Sequence, residues 1–299
     1  MVSLGGAGAG VLLVLTSAVC FGFMPIFARL AYAQGVGVDG LLFVRFLLAF
    51  LIMGVILVAS RRLVLPRMWD LLVLVVLGAV VYFLQAILYF TSLLYSPVAV
   101  VALLLYTYPV LVTVSVSVLG WERISGKLAG AVAIAILGLL LIANPFGNPV
   151  GFGAILAFGS AVTYTVYMLS GSKILRRVRG DVAAFYVIGA ASVSFGLTGE
   201  FTGTFHLNWG LMGWFWVATI TVLCTVFGIT AFFIGLSMIG PSRAALISIM
   251  EPATAVFASV LLFGNALSAL QWFGGLLILA ATTATALYRN PEPRFRTSK

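Results

Sequence analysis

The chain has 299 residues, 63% of them hydrophobic and only 8% charged. Soluble domains average about 25% charged residues, which excludes a water-soluble fold. The net charge of +9 could suit nucleic acid, but the basic residues cluster in loops facing one leaflet, where anionic lipid accounts for them, so no nucleic-acid partner is expected.

Ten apolar spans follow in order, at roughly 10–33, 40–60, 69–94, 97–119, 125–143, 150–172, 182–201, 209–238, 242–262 and 268–288. Each is near the ~20 residues that cross ~30 Å of hydrocarbon, and together they leave no room for a soluble domain. The first span has no basic flank and is too long for a secretory leader, so it is read as a retained helix even though Ala31-Tyr32-Ala33 imitates a cleavage site. With the N-terminus inside, the inner loops hold Arg61, Arg62 and Arg67, then Arg123 and Lys127, then Lys173, Arg176, Arg177 and Arg179, then Arg243; the tail adds Arg289, Arg294, Arg296 and Lys299. The outer loops hold no Lys or Arg. Cytoplasmic loops accumulate positive charge, so this asymmetry sets the number of crossings and their direction together, with both termini cytoplasmic. Cys20 and Cys224 both fall within spans, where thiols act as small apolar fillers; neither a disulfide nor a metal site is indicated.

The two halves of the chain resemble each other. Tyr108-Pro109 in span four aligns with Glu251-Pro252 in span nine at an offset of 143, and the same offset carries Gly120-Trp121-Glu122 onto Phe263-Gly264-Asn265. One further residue aligns Gly130 with Gly274. Five helices per half is an odd number, so the second half enters the membrane upside down. The expected architecture is an all-α integral membrane protein, with ten transmembrane helices in two inverted five-helix repeats around a central cavity. The repeats are expected at 1–146 and 147–290, followed by a basic, disordered tail at 291–299.

Glu251 is the one acid well inside a span. An ionisable group at mid-bilayer is a functional candidate by default: it can cycle a proton or receive an ammonium group, or be locked by hydrogen bonds around Pro252. Ser248, Glu251, Ala255 and Ser259 share one helical face, with close packing the plainer role for Ser259. In span three, Gly78, Tyr82, Gln85 and Tyr89 form another face, presenting two phenols and an amide. Such groups join flat apolar area to a hydrogen-bonding handle, which suits a ring-bearing solute. Span six carries Ser160, Thr163, Tyr167 and Ser170, with Tyr164 beside them, and span eight carries Thr221, Thr225, Gly228, Phe232 and Gly235; either set fits a cavity wall or plain packing. Tyr106 and Tyr108 lie two residues apart, so a continuous helix cannot turn both inward, and Tyr108 is taken as the lining residue. Pro25, Pro109 and Pro252 are candidate gating bends. Arg45 either snorkels to the outer headgroups or attracts a carboxylate near an external vestibule, and Arg29 snorkels. Gly126 and Gly130 form a close-packing signal, intramolecular before dimeric.

The chain resembles the drug/metabolite transporter superfamily, specifically its EamA-type ten-helix exporters. The resemblance covers residues 10 to 288 and is carried by Arg45-Phe46-Leu47-Leu48-Ala49, by Ser92-Leu93-Leu94-Tyr95-Ser96-Pro97-Val98-Ala99, by Pro109 with Gly120-Trp121-Glu122-Arg123, by Gly130 and Gly138, and by Gly240-Pro241-Ser242 and Glu251-Pro252. It departs from the family pattern at Tyr108, where Glu often precedes Pro, and Asn265 stands where the first half has Glu122. The resemblance implies export of small metabolites across the bacterial inner membrane. The aromatic-rich interior is similar to the aromatic amino acid exporter branch. Drugs, nucleosides or other metabolites are the alternative cargo. A membrane enzyme would need a catalytic constellation, and His206 is the single histidine; a channel would need charged rings or a filter motif. No cofactor is called for. The expected partners are the bilayer and a small-molecule substrate, and the expected state is a monomer, with a dimer as the alternative.

Overall fold

The computed structural model describes residues 4–119, 126–143, 151–175, 177–203, 206–239, 247–248, 250–264 and 267–288. Gly120-Trp121-Glu122-Arg123, the loop at 144–149 with the boundary between the halves, Arg176, Gly240-Pro241-Ser242, Arg243, Asn265 and the tail lie outside them.

Among the described residues every regular element is a helix. Span one is Leu4–Ala33 and span two Val38–Ala59. Span three runs as Met68–Val76, a π-helical segment Leu77–Tyr82, and Phe83–Tyr95. Span four is broken into Val98–Leu105 and Tyr108–Val118. Spans five, six and seven are Gly126–Ala143, Phe152–Ile174 and Gly180–Thr202. Span eight runs as Leu211–Thr219, a π-helical segment Ile220–Phe227, and Gly228–Ile239. Spans nine and ten are Met250–Phe263 and Ala269–Tyr288. Spans one, two, three, six, seven and eight are long and apolar enough to cross a bilayer unbroken, and the other four are shorter apolar helices. Large apolar side chains such as Val55, Phe257 and Leu276 face outward, as a lipid-solvated surface requires.

The packing obeys the inverted repeat. Exchanging spans one to five with six to ten turns each major helix contact into another that is also made. Span one packs on span eight as span six packs on span three, and span one packs on span nine as span six packs on span four. The pairs two–seven, four–nine and five–ten map onto themselves. The irregularities repeat too: the π-helical segments start at Leu77 and Ile220, 143 residues apart. Isolated π turns are rare and concentrate at functional positions; here they occupy equivalent places in equivalent helices.

Proline explains the break in span four and the start of span nine. Pro109 has no N–H to give the carbonyl of Leu105, and the helix ends at Leu105. Pro252 likewise has no N–H to give the Ser248 carbonyl, and the span nine helix begins at Met250. Both prolines therefore sit in the first turn of a helix, where their missing donor is tolerated. Pro25 lies buried within the continuous helix of span one.

Helices in lipid gain little from apolar burial and associate through close approach of small residues. At Gly138 in span five, a β-carbon would lie 2.7 Å from the Gly274 carbonyl of span ten, and at Gly235 it would lie 2.6 Å from Val14 of span one. Gly126 and Gly130 behave otherwise. Both are exposed, and a β-carbon on either meets nothing within 4 Å. The close-packing role expected of that pair falls instead to Gly138, two turns further along the same helix, because that part of span five faces span ten. Gly138→Leu is expected to destabilise the protein by about 1–3 kcal/mol through overpacking. Gly130→Ala should be neutral or stabilising by up to about 1 kcal/mol through helix propensity. Unfolding of the two detergent-solubilised variants, measured side by side, checks both.

Candidate functional site

The Ser248 carbonyl, which receives no N–H from Pro252, defines the first feature of the site. Tyr106 Oη lies 2.8 Å from the Ser248 carbonyl oxygen and 2.8 Å from Glu251 Oε2. The Glu251 backbone N–H donates to the same Ser248 carbonyl at 3.0 Å. The broken span of one repeat thus grips the start of the equivalent span of the other. Glu251 is the second residue of its helix, where the helix dipole and unpaired N–H groups favour an acid. Ala255 and Ser259, further along this helix, are buried, and Ser259 Oγ finds no hydrogen-bond partner among the described residues.

The break in span four also overturns the expectation about Tyr106 and Tyr108. A continuous helix would turn residues two apart to different sides, but the helix is interrupted between them. Their rings meet edge-on at 5.8 Å, and both join one aromatic series. Tyr108 meets Tyr164 at 4.6 Å, Tyr164 stacks on Tyr167 at 5.9 Å, and Tyr167 stacks on Tyr82 at 5.2 Å. Tyr82 then meets Phe46 at 5.5 Å, and Phe46 stacks on Phe195 at 5.5 Å. Spans two, three, four, six and seven all contribute. Tyr106 and Tyr164 complete a wall of which Tyr82, Tyr108 and Tyr167 were expected members. The signal for Tyr106 was present in Tyr108-Pro109, since proline disrupts the preceding turn.

The basic residues depart furthest from expectation. Arg45 does not snorkel: it is 3% exposed. Its Nε–H donates to Thr225 Oγ1 at 2.8 Å, and its guanidinium carbon lies 4.9 Å from the Phe46 ring centre and 5.3 Å from that of Phe90. A guanidinium can stay charged beside aromatic faces that attract it. The Thr225 hydroxyl also donates to the Ile220 carbonyl at 3.2 Å, five residues back within the π-helical segment. Arg29 turns inward as well, donating to the Leu93 carbonyl near the end of span three.

The other expected residues divide between junctions and walls. Gln85 Nε2 donates to Ser160 Oγ at 3.1 Å, and that hydroxyl donates to the Gln85 carbonyl at 3.1 Å. Both side chains are buried, so this is a rivet between spans three and six. Tyr89 is buried against Phe90, with ring centres 5.4 Å apart, and lies within electrostatic reach of both Arg45 and Glu251. The Thr163 hydroxyl returns to its own helix, to the Gly159 and Ser160 carbonyls at 3.0 Å. Phe232 is half-buried in the second part of span eight. A cavity of about 640 Å³ opens at the Asp70 and Lys173 ends of spans three and six. Trp69, Leu119, Ser170 and Arg177 line it, it reaches Val166 beside Tyr167, and Arg177 pairs with Asp70 at 3.6 Å across it.

Removing the rivet should cost stability. Ser160→Ala leaves a buried amide unpaired, and a double-mutant cycle with Gln85→Leu should return a coupling of about 0.5–2 kcal/mol. Unfolding of the four proteins in detergent gives this value; additivity of the two substitutions would contradict the rivet.

Comparison with known proteins follows the same architecture. The model of the EamA-like transporter family matches twice, at residues 8–144 and 151–287. A protein of Archaeoglobus fulgidus named "Uncharacterized transporter" is 29% identical over 203 residues, covering 68% of this chain and 72% of its own length. "Uncharacterized transporter YcbK" of Bacillus subtilis is 26% identical over 283 residues, 90% of this chain and 89% of its own. A solved crystal structure superposes with a TM-score of 0.63 over 94% of this chain and 97% of its own, at 18% identity, and shares the fold. Six apolar helices long enough to cross a membrane with four shorter ones, two repeats that exchange their contacts, and a family model that fits each repeat make this chain a multi-pass membrane protein of the EamA-like transporter family, within the drug/metabolite transporter superfamily.

Proposed function

We propose that the protein is a secondary transporter that exports small amphipathic metabolites, with aromatic amino acids as the best-fitting cargo, from the bacterial cytoplasm by alternating access. One observation carries this reading: a series of aromatic rings runs through the interior from the Tyr106–Glu251 contact to Phe46, beside Arg45. Aromatic faces stack on a ring-bearing solute, Glu251 can receive its ammonium group, and polar groups at both ends orient it. The bulk of the wall would also accept nucleosides or aromatic drugs, which remain the second cargo class. The basic loops support the inner membrane as the location, with both termini cytoplasmic. The cavity between Trp69 and Lys173 then lies on the cytoplasmic side, as an entry for cargo. A transporter role needs no cofactor and no catalytic group.

Glu251 is the proton-coupling group in this scheme. The Tyr106 hydroxyl has one proton and two acceptors. With Glu251 ionised, the phenol donates to the carboxylate. With Glu251 protonated, the carboxyl O–H donates to the phenol, which turns its own proton to the Ser248 carbonyl. Proton uptake therefore moves a hydrogen bond between the side chain and the backbone at the Pro252 turn. In this scheme Pro109 and Pro252 begin the half-helices that move relative to each other, the π-helical segments supply slack in spans three and eight, and Pro25 is the candidate bend in span one.

In proteoliposomes, counterflow of labelled phenylalanine, with a panel of other amino acids, nucleosides and dyes as competitors, tests the cargo. Wild-type transport should vary with pH, and Glu251→Gln should be insensitive to pH while still folding; unchanged pH dependence removes the proton role. Tyr82→Ala should weaken phenylalanine binding about 2–10-fold, the equivalent of one aromatic contact. Wild-type affinity in that variant would place cargo elsewhere.

A further inference from the structure

We propose that Arg45 is the receptor for a carboxylate on the cargo, so that the transporter selects organic acids and zwitterions over amines of the same shape. This deepens the amino-acid reading above and rests on it. The guanidinium is buried, and its bond to Thr225 is its only hydrogen bond among the described residues, where no carboxylate forms an ion pair with it. Nε supplies that bond, so the four N–H protons on the terminal nitrogens have no acceptor among the described residues. A buried charge is ordinarily paired, and a guanidinium fork with free terminal donors matches the two oxygens of a carboxylate. The cation is held ready for this: Phe46 and Phe90 attract it, and Thr225 anchors its stem. A structural arginine would spend its fork on backbone carbonyls, as Arg29 does at Leu93.

Position supports the assignment. At about 1.5 Å per residue, Arg45 lies ~10 Å from the Val38 end of span two, and Glu251 lies ~18 Å from the Phe263 end of span nine. Under the charge-derived topology both of those ends are external. Glu251 is therefore the deeper group and Arg45 the shallower one, and the ring contacts from Tyr106 to Phe46 link them. A cargo carboxylate on Arg45 also acts on the Thr225 hydroxyl, whose own proton goes to the Ile220 carbonyl within the π-helical segment. Cargo and the irregular segment of span eight thereby share one contact.

Three ligands separate the groups. Phenylalanine has ring, amine and carboxylate; phenethylamine lacks the carboxylate; 3-phenylpropionate lacks the amine. Binding to the full-length protein in nanodiscs is measured for each, with thermal stabilisation as the readout. Wild type should bind phenethylamine at least ~10-fold more weakly than phenylalanine, as loss of a charge-assisted pair implies. In Arg45→Gln that preference should fall below ~3-fold because phenylalanine weakens, with phenethylamine unchanged. Equal binding of phenethylamine and phenylalanine by wild type overturns the proposal, and needs no variant to fold. So does an Arg45→Gln protein that keeps the preference, a result that leaves the amino-acid reading intact. Arg45-dependent binding of 3-phenylpropionate without binding of phenylalanine supports the carboxylate site and refutes the amino-acid reading.

Discussion

Two equivalent helices of opposite direction meet at a pair of proline-made openings, and the rest of the interior is arranged around that meeting. Pro252 releases the Ser248 carbonyl, and the Tyr106 hydroxyl reaches both it and Glu251. Without the openings, spans four and nine would satisfy their own backbones and offer one another only apolar surface. In lipid, apolar surface gives little reason for one helix to choose another. The hydroxyl contact supplies direction, and it ties the repeats together at the point where a mid-membrane acid sits.

The pseudo-twofold arrangement follows from the same economy. Each repeat cannot bury its own small-residue faces, so each strong contact of one repeat is mirrored in the other, and the self-paired spans two–seven, four–nine and five–ten form the seams. Glycines decide how close the seams come. Gly138 lets span five touch the Gly274 backbone of span ten, and Gly235 lets span eight lie against span one at Val14. The matched π-helical segments at Leu77 and Ile220 show that the symmetry extends to defects. An irregular turn leaves slack in the hydrogen-bond ladder, and both repeats carry it at the equivalent place.

The interior chemistry is polarised. An acid stands at one end of a run of aromatic rings and an arginine near the other, and the rings come from five different spans. Neither charged group is neutralised by the other's helix. Glu251 rests at a helix start with a phenol beside it, and Arg45 rests between two phenylalanines with a threonine at its stem. Rigid walls with charges at fixed depths are what an oriented, ring-bearing solute requires. Hydroxyls that might have lined the space, such as Thr163, return to their own helix.

Much of this was legible in the residues themselves. Hydropathy marks the apolar runs that fold into the helices, because hydrocarbon thickness acts on local composition. The 143-residue offset of Tyr108-Pro109 and Glu251-Pro252 determines the repeat. Glu251 stands out because an acid in lipid is rare. What the linear order could not decide was where side chains point once a helix breaks, or which helix lies opposite. Tyr106 and Tyr108 were set against each other by a periodicity that Pro109 abolishes. Gly126 and Gly130 carry the same spacing as packed glycines, yet no helix comes near them. Gln85 had the composition of a lining residue and became a rivet because Ser160 lies across from it. Arg45 was placed correctly in its span, but only the tertiary structure put two phenylalanines and Thr225 around it and so kept it from the headgroups. Periodicity reports a helix's own faces; the partner that covers each face is a property of the assembled bundle.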